Sequence, residues 1–206
     1  MSQKSLSVEL SKLREFVAPK ANLEQYVTDP DVAAEILWAA AMEGEIEGKC
    51  VADLGAGTGV LGIGALILGA GKVFFVEVDP DAIAVLRENL SSQNIDEERY
   101  EIVVGDLSLF SEKVDLVVMN PPFGTREAHE DLRFLEAAML LSKKVYTLHK
   151  SSTLEYVKGF VAKKKWRVGK EFSFSFPLKQ SMKHHLKRRK LINVSCLKIE
   201  CCQSLG

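Results

Sequence analysis

The sequence predicts an α/β protein with a doubly wound, mostly parallel sheet, and two observations carry this prediction. Short apolar runs suited to buried strands alternate along the chain with segments of helical periodicity. Five successive predicted strands end at a glycine or a polar residue, and the ends of parallel strands share one edge of the sheet, where ligands bind. These residues are Gly55, Glu77, Asp106, Asn120 and His149.

Length and composition bound the domain organisation. With 206 residues, 47% of them hydrophobic, the chain can bury one good core, so we expect a single domain over 1–206. It divides into an N-terminal helical cap, 1–45, and a core, 46–206, with a basic loop at 177–190. The longest apolar run, Val60–Ala70, is broken by glycines and too short to cross a bilayer, so we expect no membrane association.

Cysteine spacing and charge narrow the function classes. The four cysteines form no C-x-x-C pair and adjoin no histidine cluster, so we expect no metal site and a cytoplasmic protein with reduced thiols. The formal net charge is −1, yet residues 143–190 hold 15 Lys and Arg against two acidic residues. This asymmetry points to a polyanionic partner.

The N-terminal segment predicts two helices. Residues 5–17 carry apolar side chains at helical spacing, and a second helix begins near Pro30, where Thr28 or Asp29 can cap it. Judged from the residues alone, positions 25–26 belong to an ordinary loop between these helices.

A glycine-rich turn is the first motif with chemical content. Residues 50–54 predict a strand, Gly55–Gly59 a turn of pattern G-x-G-x-G, and Val60–Leu68 a helix. Glycines let the backbone approach a ligand closely, and the helix N-terminus presents unpaired N–H groups. Asp53 precedes the turn, where a carboxylate repels phosphate but suits a cationic ligand such as a sulfonium amino acid.

The next two strands supply acidic groups at their ends. Glu77 lies in the predicted strand Lys72–Val78, 24 residues after Asp53, the distance at which an acid binds a nucleoside ribose. After the strand Tyr100–Val104, Asp106 can accept a hydrogen bond from an adenine amino group or simply form a turn.

The fourth strand ends in an unusual group of residues. The apolar run Val114–Met119 stops at Asn120-Pro121-Pro122-Phe123. An amide, a rigid turn and an aromatic ring at a ligand edge suit the binding of a planar amine. A rigid turn without function is the alternative, but it leaves Asn120 unexplained.

The C-terminal third predicts three more strands. The first, Lys144–Leu148, ends at the polar segment 149–152, and the others lie at 166–176 and 191–199, after a helix at 153–164.

Basic residues in this third are candidates for RNA contact. The loop 179–190 mixes lysine, arginine and two histidines, which favours nucleic-acid binding, whereas the run Lys163–Lys165 favours a solvated face. His129, in the polar loop 125–131, fits a substrate lid or plain solvent exposure equally well. The predicted RNA contacts are His149, Lys150, Lys183, Lys187, Arg188 and Arg189.

Together these motifs resemble those of the S-adenosylmethionine-dependent class I methyltransferases. The likeness rests on Asp53-Leu54-Gly55-x-Gly57-x-Gly59, Glu77, Asp106 and Asn120-Pro121-Pro122-Phe123. Leu23-Glu24-Gln25-Tyr26-x-Thr28 and Leu148-His149-Lys150-Ser151-Ser152 narrow it to small archaeal and eukaryotic enzymes that methylate N6 of one adenine in small-subunit rRNA. The resemblance implies a Rossmann-like fold with a mostly parallel seven-stranded sheet whose last strand is antiparallel.

The resemblance also implies S-adenosyl-L-methionine as cofactor. Glu77 would hold its ribose hydroxyls, and Asp106 with the Leu107 amide would bind its adenine. The predicted cofactor residues are Gln25, Thr28, Asp53, Gly55, Thr58, Gly59, Val60, Glu77, Asp106 and Leu107.

The predicted catalytic residues are Asn120, Pro121, Pro122 and Phe123. The Asn120 side-chain oxygen and the Pro121 carbonyl would accept the two N6 hydrogens of the target, while the prolines fix the direction of that carbonyl. Phe123 would stack on the extruded base.

Other functions stay open. DNA adenine or a protein glutamine amide also fits Asn-Pro-Pro, although 206 residues leave no room for a separate target-recognition domain, and glutamine enzymes typically carry tyrosine in place of Phe123. A non-catalytic RNA-binding assembly module is the third interpretation. The resemblance further implies a small zinc-binding activator protein that pairs with the edge strand 100–104.

Overall fold

A computed structural model describes residues 1–123, 130–177 and 191–202. Its strands are β1 (Cys50–Leu54), β2 (Lys72–Glu77), β3 (Tyr100–Val104), β4 (Leu116–Met119), β5 (Lys144–Lys150), β6 (Trp166–Pro177) and β7 (Leu191–Cys201). Its α-helices are α1 (Gln3–Leu10), α2 (Pro30–Met42), α3 (Val60–Ile67), α4 (Pro80–Ser92), α5 (Glu130–Leu141) and α6 (Leu154–Lys163). Single-turn 3₁₀ helices lie at Ala21–Leu23, Glu97–Arg99, Leu107–Leu109 and Ser151–Thr153.

The seven strands form one sheet in the order β3-β2-β1-β4-β5-β7-β6. β1 to β5 pair in parallel, whereas β7 is antiparallel to both β5 and β6. The strand order reverses between β1 and β4, so a crevice opens beyond their carboxyl ends. The predicted fold class is confirmed, including the antiparallel last strand and the position of β3 at an edge.

Two apolar layers sandwich the sheet. The N-terminal helices share one layer with α3, where Leu10, Leu37 and Ile63 are fully or almost fully buried. Gly62 permits close packing there, because a Cβ at this position would lie 2.3 Å from the Phe75 ring. Helices α5 and α6 bury their apolar faces against the opposite side of the sheet.

A buried ionic cluster joins the end of the N-terminal cap to the sheet. Lys198 of β7 is 5% exposed, and its Nζ donates to Glu45 Oε1 at 2.9 Å and to Glu43. Glu45 Oε2 in turn accepts from the Tyr146 hydroxyl of β5 at 2.9 Å. Removing one partner of such a cluster is costly, because the buried charges that remain lose part of their compensation.

One helix is shorter than predicted, and another was not predicted. α1 ends at Leu10 rather than near residue 17, because the chain turns away and the Arg14 amide donates to Asn89 Oδ1 of α4 at 2.8 Å. α5 was not predicted, although Leu132, Leu135 and Ala138 have helical spacing and are buried.

Candidate active site

A cleft of about 310 Å³ opens at the crevice between β1 and β4. The glycine turn, the ends of β2, β3 and β4, the N-terminal segment 22–28 and the start of α5 line it. Most predicted site residues meet there: Gln25, Thr28, Asp53, Gly55, Thr58, Val60, Glu77, Asp106, Leu107, Asn120 and Pro122. Gly59, Pro121 and Phe123 lie beside the cleft without lining it.

The glycine turn has the backbone conformation that the motif predicts. Gly55, Gly57 and Gly59 have φ angles of 67°, 55° and 89°, in the region that favours glycine, and Gly59 is the N-cap of α3. The ring of Phe16 lies against this turn, 2.9 Å from where a Cβ of Gly57 would be. Phe16 therefore closes one side of the cleft, a role that its sequence position did not indicate.

Backbone amides fix the carboxylate of Glu77. Its Oε2 accepts from Gly57 N at 2.7 Å, and its Oε1 accepts from Val78 N and Asp79 N, both at 2.9 Å. The three N–H groups use three of the roughly four acceptor positions of this carboxylate, which leaves a rigid acceptor position for a ligand hydroxyl.

Asp53 lies at the floor of the cleft and is 2% exposed. Its Oδ2 accepts from Gly62 N at 2.8 Å. Burial, with the nearby charge of Glu77 adding to it, raises the pKa of Asp53 to about 7, while the Gly62 hydrogen bond opposes the rise. A cation placed above this carboxyl would favour its ionised form.

Asp106 is both a turn-former and a cleft residue. Its Oδ1 accepts from Ser108 N at 3.0 Å and starts the 3₁₀ helix, and its Oδ2 accepts from both terminal nitrogens of Arg133 at 2.9 Å. The Ser108 amide and the Arg133 guanidinium hold the pKa of Asp106 at about 2. The sequence did not indicate Arg133, because α5 itself was not predicted.

Asn120 is held by two side chains of the N-terminal segment. The Tyr26 hydroxyl donates to Asn120 Oδ1, and Asn120 Nδ2 donates to Thr28 Oγ1, each at 2.9 Å. Thr28 therefore contacts the amide, and the capping of α2 falls to Asp29, whose Oδ1 accepts from Asp31 N.

Phe123 is 9% exposed, and the side chains of Tyr26 and Lys150 cover its ring. The Tyr26 ring contacts it with centroids 4.9 Å apart and planes at 32°, and Lys150 Nζ lies 5.2 Å from its centroid. The Phe123 amide donates to Glu24 Oε2 at 2.9 Å. Tyr26, which the residues alone placed in an ordinary loop, and Glu24 therefore both contribute to the site.

The prediction that His149 contacts RNA is wrong for a direct contact, because its side chain is 0% exposed. β5 runs on to Lys150 rather than ending at Leu148, since β7 pairs with it there, and His149 is opposite Ser195. Its Nε2 lies 2.9 Å from Thr147 Oγ1, and its Nδ1 lies 3.7 Å from Asp131 Oδ2 without a hydrogen bond.

The other predicted RNA contacts divide into two groups. Lys150 is partly exposed beside Phe123. The loop residues Lys183, Lys187, Arg188 and Arg189 lie outside the described residues, as does His129.

The described part of the chain has neither a metal-binding cluster nor a membrane-spanning helix. No group of three His, Cys, Asp or Glu side chains within 1–123, 130–177 and 191–202 could hold a metal ion. Over the same residues, no helix has the length and apolar character to span a membrane.

The sheet order, the cleft and the relatives described next together identify the class of protein. The sheet reverses at a crevice lined by the glycine turn, Glu77 and Asn120, and the protein is a class I methyltransferase that uses S-adenosylmethionine.

Comparison with known proteins gives the family. The family model described as Conserved hypothetical protein 95 matches residues 33–174. The rRNA N(6)-adenosine-methyltransferase METTL5 of Danio rerio is 35% identical over 96% of this chain and 98% of its own length. Mettl5 of Drosophila melanogaster, of the same name, is 35% identical over 94% of this chain and 97% of its own.

A solved structure agrees with this result. The crystal structure of PH1948 from Pyrococcus horikoshii is 40% identical, covers 97% of this chain and 98% of its own, and superposes with a TM-score of 0.88. The chain therefore belongs to the family of the METTL5 rRNA N(6)-adenosine-methyltransferases.

Proposed function

We propose that the enzyme methylates the exocyclic N6 of an adenine in small-subunit rRNA. The observation that carries this proposal is that Asn120 lines the same cleft as the glycine turn and Glu77. The names of its relatives, which are rRNA N6-adenosine methyltransferases, support the choice of substrate.

The residues of the cleft fit the proposed cofactor. We take Glu77 as the acceptor for the ribose and Asp106 with the Leu107 amide as the groups that bind the adenine, since all three residues line the cleft. The Asp53 carboxyl is a suitable neighbour for a positive charge. When bound, S-adenosylmethionine supplies a methyl group on a positively charged sulfur.

The proposed work of Asn120 and Pro121 is to orient the target nitrogen. An adenine amino nitrogen delocalises its lone pair into the ring and is a poor nucleophile. Two oxygens that each accept a hydrogen bond from one of its N–H groups favour a pyramidal nitrogen. The lone pair of that nitrogen then points at the methyl carbon. Placement and electrostatics then lower the barrier, and no strong general base is required.

One assay separates this proposal from its alternatives. Purified enzyme is incubated with labelled S-adenosylmethionine and, in turn, unmodified small-subunit rRNA transcript, double-stranded DNA and release-factor protein. We expect label in RNA, recovered as N6-methyladenosine, and about 100- to 1,000-fold slower labelling with Asn120→Ala. Label in DNA or protein, or RNA binding without transfer, would establish one of the other functions instead.

The RNA-binding surface is proposed to include Lys150 and the basic loop. Neutralising Lys187, Arg188 and Arg189 together should lower the slope of log affinity against log salt by about 2–3. A triple substitution at Lys163–Lys165, expected to be a solvated face, is the matched control. An unchanged slope in the loop variant would exclude the loop from the interface.

A small zinc-binding activator protein is proposed to bind at β3. Among the described strands, β3 pairs with β2 alone, and its residue Val104 is 55% exposed. A lysine at an edge position discourages strand addition, so Val104→Lys should abolish co-purification of such a protein from native cells. Failure of the parent protein to capture one would refute this part of the proposal.

We further propose a cytoplasmic location. The four cysteines are free thiols, which suits a reducing compartment. Cell fractionation with an antibody to the chain tests this, and recovery in an oxidising compartment would contradict it.

A further inference from the structure

One side chain engages two of the three groups expected to bind the target adenine, Asn120 and Phe123. The Tyr26 hydroxyl donates to Asn120 Oδ1 at 2.9 Å, the oxygen proposed to accept an N6 hydrogen. The same residue's ring lies on Phe123, with centroids 4.9 Å apart and an interplanar angle of 32°. Rings at this separation are in direct contact, so no base can lie between them.

Tyrosine resembles the six-membered ring of adenine in the two features that matter here. Each is a flat ring that carries an exocyclic donor, an O–H in tyrosine and an N–H in adenine. Burial, together with the charge of Glu24, raises the pKa of Tyr26 well above its usual value. The phenol therefore keeps its proton and donates to Asn120 across the physiological pH range.

We propose that Tyr26 occupies the target-base site of the RNA-free enzyme and that the extruded adenine replaces it on Asn120 and Phe123. This inference rests on the proposed function, because it takes Asn120 and Phe123 as the base-binding groups.

The residues on either side of Tyr26 are held in place, which confines the exchange to its side chain. Gln25 Nε2 donates to Asp79 Oδ2 at 2.6 Å, and Glu24 Oε2 accepts from the Phe123 amide at 2.9 Å. Beyond Tyr26, Thr28 accepts from Asn120 Nδ2. Rotation of the phenol away from Asn120 therefore leaves these neighbouring contacts intact.

The exchange contributes to base selection. A base with an amino group at the matching position restores the hydrogen bond that Asn120 loses when Tyr26 leaves. A base that presents a carbonyl oxygen there leaves the Asn120 oxygen unpaired and facing another acceptor, which is costly in a buried site. Tyr26 thus competes with every base, but an amino base replaces it most easily.

The substitution Tyr26→Phe tests the proposal, because it removes the competing hydroxyl and keeps the ring. With rRNA transcript as substrate, we expect the KM for RNA to fall about 2- to 10-fold, the value of one neutral hydrogen bond, so that kcat/KM rises. If kcat falls while KM stays the same, Tyr26 only positions Asn120 and the proposal is wrong. Tyr156→Phe, on the exposed face of α6, is the matched control.

A binding measurement keeps this test independent of methyl transfer. Adenosine 5′-monophosphate is titrated into each protein saturated with S-adenosylhomocysteine, and Tyr26→Phe should bind it about 2- to 10-fold more tightly than the parent. Tighter binding without any RNA methylation would leave the exchange standing and refute the proposed function. Equal affinity, or no binding by either protein, would overturn the exchange. Tyr26→Leu, which removes both ring and hydroxyl, should also bind adenosine 5′-monophosphate more tightly than the parent. Thermal melting verifies that each variant is folded.

Discussion

Asn120 and His149 follow similar apolar runs in the sequence, on the neighbouring strands β4 and β5, yet they have opposite surroundings. Asn120 lines the cleft, whereas His149 is fully buried. Two prolines stop β4 at Met119, but β7 continues to pair with β5 as far as Lys150. The end of an apolar run is therefore the end of a strand only where no neighbouring strand continues the ladder.

The largest effect expected from this comparison is at Asn120. Asn120→Ala removes one of the two proposed acceptors of the target nitrogen and should lower kcat for rRNA transcript 100- to 1,000-fold, about 3–4 kcal/mol. The affinity for S-adenosylmethionine, measured by calorimetry, should stay within about threefold of the parent. Methylation at the parental rate would remove Asn120 from the catalytic residues.

Asp53 combines the two situations, because it is buried like His149 and lines the cleft like Asn120. Its pKa rises from the ordinary 3.8 to about 7, so the folded state keeps a proton that the unfolded chain releases. The contribution of Asp53 to stability is therefore fully present below pH 3.8 and is lost as pH rises through 7.

Asp53→Asn should remove this loss. Between pH 5 and pH 8, the free energy of unfolding of the parent should fall by about 2–3 kcal/mol more than that of the variant. Urea denaturation at both pH values measures this difference. Parallel changes in the two proteins would show that Asp53 is ionised in the fold.

At His149 we expect an effect on stability and little on catalysis. His149→Ala leaves a cavity beside Thr147 and Asp131 and should lower the free energy of unfolding by about 1–3 kcal/mol. The salt dependence of RNA binding should equal that of the parent. A shallower slope would mean that His149 reaches RNA after all, and the contrast with Asn120 would fail.

Lys150 should give the smallest effect. Lys150→Gln removes one positive charge next to Phe123 and should weaken rRNA binding about 2- to 5-fold, with a salt slope lower by about 1. Lys163→Gln, on the exposed end of α6, is the matched control. Equal losses of affinity in both variants would show that Lys150 acts only through the overall positive charge of the surface.

Local pattern was sufficient for several strands and for the glycine turn, whereas the antiparallel last strand was expected only from the family resemblance. The bounds of β1 and β3 are those predicted, since alternation, glycines and prolines act over a few residues. Arg133 and Tyr26 could not be found this way. Arg133 pairs with Asp106 across 27 positions, and Tyr26 donates to Asn120 across 94, so each contact exists only once distant segments have packed.

The ionic cluster at Lys198 limits how the chain can be shortened. Its two carboxylate partners from the N-terminal part, Glu43 and Glu45, fall within the first 45 residues. A fragment starting at residue 46 would retain the lysine in a dry interior with only Glu200 to balance it. A shortened version of the chain should therefore keep the segment ahead of β1, including Glu43 and Glu45, if Lys198 is to stay compensated.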